Sequence, residues 1–220
     1  GQRWALSTFE ISCQGLGASA VRDGLDFGYA MWNPEADMGD VETWELFQGG
    51  VPYLSRRIKP NTAGFGKYRG GCAFEGVGLV AFSKEVDFFG ARDGLCFHGA
   101  GGMHGGYPHG TGYRLYVRKT NMEEIIKKQL PYPLGDWNPS DGEFEKYLEG
   151  EIIRKSYCSI YPVTFENWDL FYHTQSGGPG YGDPLERKFE LLKKDLEEQI
   201  YTKDVVECVY GVIADHDEEA

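Results

Sequence analysis

Apolar and polar positions alternate along Tyr113–Lys119 (YRLYVRK), with Tyr113, Leu115 and Val117 on one side and Arg114, Tyr116 and Arg118 on the other. A period of two predicts a half-buried strand. "CAFEGVGLVAFS" (72–83), "VDFFGAR" (86–92) and "WDLFYHTQ" (168–175) carry the β-branched and aromatic content of further strands. A period near 3.6 appears only late in the chain. There Leu191, Leu192, Leu196 and Ile200, with Asp195 among them, form one helical stripe. Its start is signalled by Asp183 as N-cap, Pro184 at the first helical position and Glu186 at the third. Thr202 can cap a second short helix, KDVVECVY, which Gly211 would stop. An earlier helix is predicted after Asn121, with Glu124 three residues on and Pro131 at the end. "FEKYLEGEIIRKSY" (144–157) reads equally as helix or strand.

Glycine separates these elements. Residues 1 to about 58 read as short strands between glycine turns, interrupted by the acidic stretch Asn33–Glu45. Two glycine-rich crossings follow, "KPNTAGFGKYRGG" (59–71) and "FHGAGGMHGGYPHGTG" (97–112), and a third, "SGGPGYGDPLER" (176–187), joins the last strand to the helical stripe. The predicted fold class is α+β: mainly antiparallel β with glycine-rich loops and a few C-terminal helices. Residues 1–120 form a glycine-rich, mainly β region and 121–220 an α+β region, expected to make one continuous domain.

Composition narrows the picture. The 220 residues include 31 glycines, and aromatic residues reach 15%, which agrees with many turns and short strands. A net charge of −12, from 22 basic and 34 acidic side chains, argues against a nucleic-acid footprint. Cys13, Cys72, Cys96, Cys158 and Cys208 are odd in number and form no C-x-x-C pair, so neither a disulfide framework nor a zinc ribbon fits. A reducing, cytoplasmic setting is the expectation. No apolar run reaches the roughly 18 residues of a membrane span.

The candidate chemistry lies in the loops. A glycine-rich turn feeding a helix N-terminus can cradle an anion through Gly178, Gly180 and Gly182, or it can simply turn a corner. The G-G-P-G-Y-G-D pattern matches no phosphate-binding fingerprint, and Asp183 as cap occupies the end where an anion would sit, which favours the corner. His98, His104 and His109 share one loop, but their spacing fits no compact metal site and bystander histidines are the commoner case. Glu35, Asp37, Asp40 and Glu42 lack the regular spacing of a calcium loop. Arg56-Arg57 and Arg118-Lys119 are candidates for holding a carboxylate or phosphate, with surface salt bridging as the alternative.

The order of the motifs carries more than any one of them. "RDGLDFGYAMWNPEADMGDVETWEL", "RRIKPNTAGFGKYRGG", "GGYPHGTGYR", "GGPGYGDPLER" and "VVECVYGVI" together resemble the C-terminal part of the hydantoinase B family. The likeness runs from about Arg22 to Ile213 and is nearest to the large (α) subunits of acetone carboxylase and related ketone carboxylases. K-Y-R-G-G and G-Y-G-D-P-L-E-R are its most specific segments.

The resemblance implies part of a larger subunit in a hetero-oligomer that carboxylates a ketone with bicarbonate to a β-keto acid at the expense of ATP. Expected partners are a hydantoinase A-like nucleotide-binding subunit, the rest of the α or B-type subunit, and a small subunit. ATP and Mg would sit on a partner, and a metal such as Mn outside this chain. The alternatives are ATP-dependent opening of hydantoin or 5-oxoproline rings, and a purely structural assembly role. Gly178, Gly180, Gly182, Arg187 and Arg69 are the candidates for touching a phosphorylated species; no catalytic residue or metal ligand is carried over.

Overall fold

The computed structural model describes residues 14–26, 51–88, 99–112, 114–135, 148–155 and 163–213. Among these, seven strands form two antiparallel sheets. The larger sheet contains β1 (Tyr53–Lys59), β2 (Ala73–Leu79), β4 (Arg114–Arg118), β5 (Glu151–Lys155) and β7 (Leu170–Thr174) in the order β1-β2-β7-β4-β5. The smaller pairs β3 (Glu85–Phe88) with β6 (Val163–Glu166). Strands from both sides of residue 120 therefore share one sheet. Residues 151–155 of the ambiguous segment resolve as strand, paired to β4. His98, Tyr113, the acidic stretch Asn33–Glu45 and the early strands before residue 51, apart from 14–26, lie outside the described residues.

Each face of the larger sheet carries its own core. On one, Val77, Leu79, Leu115, Val117, Leu170 and Tyr172 pack with Met122 and Ile125 of α1 (Met122–Lys127). On the other, Tyr116 and Phe171 meet Phe165 of the small sheet, with Tyr116 and Phe165 edge to face at 5.2 Å. That second layer corrects the half-buried expectation for β4. Arg114 and Tyr116, predicted to face water, are both buried because the strand is central and covered on both faces.

The helices depart from prediction at their ends. Asn121 makes no side-chain cap; its carboxamide oxygen accepts from Glu149 N instead, and α1 stops at Lys127, before Pro131. Asp183 does cap, accepting from Leu185 N at 2.9 Å, but it opens only a 3₁₀ turn, Pro184–Glu186. Arg187 and Lys188 are extended before α2 (Phe189–Glu197) begins. The single helix expected after Asp183 is thus two pieces. α3 (Lys203–Val205) runs into one π turn, Val206–Tyr210, which ends at Gly211 with φ 67°, the left-handed stop its sequence predicts.

Candidate functional site

Four stretches that form neither helix nor ladder, 14–26, 60–72, 99–112 and 176–183, lie side by side against the β1-β2-β7 end of the sheet. They are sewn together by backbone hydrogen bonds. Gly178 N donates to Gly71 O, Gly180 N to Tyr107 O, Gly182 N to Met103 O and Gly71 N to Leu16 O, all at 2.7–2.9 Å. In return Gly64 N donates to Gly178 O and Tyr68 N to Tyr181 O. Glycine is needed because the backbones touch. A Cβ at Gly178 would fall on the Leu16 carbonyl, one at Gly70 on the Gly178 carbonyl and one at Gly180 on the Phe65 carbonyl. The glycines form a bundle of extended chains, and the amides that could have met an anion are already donating within it.

Beside this bundle the structure gathers residues far apart in sequence. Arg69 donates from Nε to Asp195 Oδ1 at 2.9 Å and from Nη1 and Nη2 to the Asp26 carboxylate at 2.9 and 3.1 Å. Arg187 donates from Nε and Nη2 to Asp195 Oδ2 at 3.0 and 2.7 Å, and forks onto Asp23 at 2.8 and 2.9 Å. Two guanidiniums and three carboxylates close a nearly saturated network, tied to the bundle through Arg69 Nη1 on Gly70 O and Arg187 Nη1 on Lys67 O. The extended backbone at Arg187 is what splits the predicted helix, and it is the conformation from which the side chain reaches Asp23 and Asp195 together.

Burial would lower the basicity of Arg69, but the Asp26 hydrogen bond and the charges of Asp26 and Asp195 more than offset it and raise it above the ordinary range. Arg187 behaves alike, with Asp23 the principal partner. Burial pushes the Asp195 carboxyl up while both guanidiniums pull it down. The Asp26 carboxylate also accepts from Cys72 N at 2.5 Å. Burial, with Asp26 adding to it, pushes the Cys72 thiol up from 9.0 to about 12, so it is no thiolate at neutral pH.

The five candidate residues thus converge on one region. Arg69 and Arg187 share Asp195, and Gly178 and Gly180 lie in the bundle they brace. Gly182, at φ 75°, adjoins Lys67. The two described histidines of this loop have separate neighbours. The His104 ring lies tilted against that of Tyr181, centroids 4.9 Å apart, while His109 is buried with Nδ1 2.9 Å from Gly110 O. Among the described residues no group of three or more His, Cys, Asp and Glu is placed to hold a metal.

Sequence reasoning missed the three carboxylates. Asp195 had left a signal, an acid on an otherwise apolar stripe; Asp23 and Asp26 gave none of their own. Glu75 was also missed. It lies fully buried in β2, held by Tyr172 OH at 2.5 Å, by Lys59 Nζ at 3.2 Å and by Arg57 Nε. An acid inside the apolar run CAFEGVGL was its only trace.

Residues 2–184 match the family model for hydantoinase B/oxoprolinase, so the chain belongs to that family. It is 39% identical over 211 residues to the acetone carboxylase alpha subunit of Xanthobacter autotrophicus, covering 95% of this chain and 27% of that protein. It is 27% identical over 218 residues to the acetophenone carboxylase delta subunit of Aromatoleum aromaticum, covering 94% of this chain and 30% of the other. Among solved structures, nucleotide-free acetone carboxylase matches with a TM-score of 0.79 at 37% identity, over 93% of this chain and 27% of that one. ATP-dependent caprolactamase from Pseudomonas jessenii shares the fold, with a TM-score of 0.63 at 17% identity. The chain spans less than a third of the length of each of these relatives. Among the described residues no helix is long and apolar enough to cross a membrane.

Proposed function

We propose that this chain is a component of an ATP-dependent ketone carboxylase, which joins bicarbonate to a ketone to give a β-keto acid. The observation that carries the reading is the 39% identity to an acetone carboxylase alpha subunit across 95% of the chain. Because that match spans only 27% of the relative, the complete reaction centre is assigned to an assembly. The rest of an α-type subunit, a hydantoinase A-like nucleotide-binding subunit and a small subunit would supply ATP with Mg, and a metal such as Mn, outside this chain. The assembly would work in the cytoplasm.

Within that assembly the bundle and its arginine network form one wall of the region a phosphorylated species would approach. Gly178, Gly180, Gly182, Arg69 and Arg187 keep that wall in shape: their amides and guanidiniums are engaged inside the chain, so their part is to position the surface. The test is ATP hydrolysis by the purified native complex with a panel of ketones, with and without bicarbonate. Stimulation that needs both supports the proposal. Stimulation by hydantoin or 5-oxoproline without bicarbonate would replace it with cyclic-amide hydrolysis, and no stimulation by any ketone would refute it.

A further inference from the structure

The chain crosses between the larger sheet and the smaller one twice, side by side. β2 leads into β3 and β6 into β7, and both pairings are antiparallel, so the β2-β7 ribbon continues as β3-β6. Leu79 lies opposite Leu170, and Glu85 lies opposite Glu166. Five residues, 80–84, therefore face three, 167–169, and the surplus must leave the ribbon. Extra residues of this kind re-aim a side chain. Here they aim Phe82.

Val80 and Ala81 turn inward, at 1% and 2% exposed, whereas Phe82 is 92% exposed, the highest value among the large apolar residues described. Burial alone favours the reverse. Phe82 also has φ 63°, and a bulky side chain in the left-handed region is strained. The frame around it imposes that conformation. Trp168 N donates to Val80 O at 2.7 Å, Val80 N to Asp169 O at 2.8 Å and Asn167 N to Lys84 O at 3.2 Å. The buried Asp169 carboxylate accepts from Lys119 N at 2.8 Å and from Glu166 N at 2.9 Å. Lys119 and Trp168 are left-handed too, at φ 54° and 75°. Beside the tip, the exposed Glu85 and Glu166 stand directly opposite each other, a like-charge pair that weakens the strand pairing.

A ring in water, a strained backbone and two facing carboxylates are each unfavourable for this chain alone. A partner that buries the ring and brings a cation to the carboxylates offsets two of the three. We propose that Phe82 is an anchor for the part of an α-type subunit lying outside this chain, inserting into an apolar pocket there that is edged by Lys or Arg facing Glu85 and Glu166. An aromatic anchor held on a rigid frame loses little freedom on binding. Length names the occupant. The matched stretch is 27% of one carboxylase relative and 30% of the other, so the polypeptide beyond it is the largest surface beside such a domain. The inference rests on the assembly part of the proposed function and is independent of its reaction.

Phe82→p-benzoylphenylalanine is introduced into the native complex and irradiated, and the cross-linked peptide is identified by mass spectrometry. A cross-link to α-type sequence outside this chain is expected. Hydrogen exchange of the peptide so identified is then compared with that in Phe82→Ala and Phe82→Gly. Glycine fits the left-handed backbone without strain, so that variant guards against a folding effect. Both should speed exchange of the peptide by about tenfold, as loss of one aromatic anchor implies. No cross-link, a cross-link to a second copy of this chain or to a nucleotide-binding subunit, or exchange unchanged in both variants overturns the proposal. None of these readouts needs turnover, so absence of ketone-dependent ATP hydrolysis would count against the reaction and leave the anchor standing.

Discussion

Asp195 decides how α2 sits. It occupies the apolar stripe of that helix and is 3% exposed, yet two arginines meet it, one from each flanking loop. Removing one partner from such a network leaves the others buried and uncompensated, at a cost of roughly 3–5 kcal/mol. Asp195→Ala is therefore expected to lower stability by about that amount in urea unfolding, whereas Glu186→Ala, in the exposed Lys67 ion pair, should leave the unfolding midpoint nearly unchanged. The acid on an apolar stripe was legible in the sequence. Its partners were not, because nothing local ties Arg69 or Asp23 to position 195. Cys72 gives a pH dependence at the same scale. Its folded thiol stays protonated to about 12, while an unfolded one ionises near 9.0, so stability should fall as pH rises between those values. Tyr201 and Tyr210, both raised chiefly by burial, add to the same alkaline loss. Unfolding at a series of pH values should show a shallower alkaline decline in Cys72→Ala, and an identical slope would remove the thiol from the account.

At the level of elements, the glycine-rich segments are the part of the fold that sequence rules describe least well. Propensity and turn chemistry treat Gly178 as a hinge or a phosphate cradle. The structure uses it as the only residue thin enough for three chains to lie backbone to backbone. Long-range contact of this kind has no local signature, so the segments were read as loops and their mutual packing could not be foreseen. Gly70→Ala should consequently prevent assembly of the bundle, visible as lost protection from proteolysis at 14–26 and 60–72. Gly211→Ala has open space around its Cβ and only the left-handed φ of 67° to resist it, so it should cost about 1 kcal/mol. Equal effects at the two positions would contradict the packing argument. The strands fared better. Alternation located β4 and aromatic content located β2, β3 and β7, because each pattern is set by the strand itself. What alternation could not reveal was that the small sheet covers the second face of β4, which depends on where β3 and β6 pair.

Taken whole, the molecule divides its labour. The two sheets and α1 form a conventional core, the C-terminal helices clamp the glycine bundle through Ala63, Cys72, Leu192, Ile200, Tyr201, Val206 and Tyr210, and the arginine network is tied to that bundle through Gly70 O and Lys67 O. The order of motifs carried the family, since it reflects the whole bundle; the reaction proposed above is drawn from that likeness, because the sequence offers no nucleophile and base pair. The chain's membership in the hydantoinase B/oxoprolinase family, with the assembly reading above, leads to one direct measurement. The native complex is supplied with ATP, a ketone and ¹³C-bicarbonate, and the products are followed by NMR. The account predicts label in the carboxylate of a β-keto acid, dependent on ATP and on the assembled complex; no label with any ketone, or full labelling by this chain alone, would contradict it.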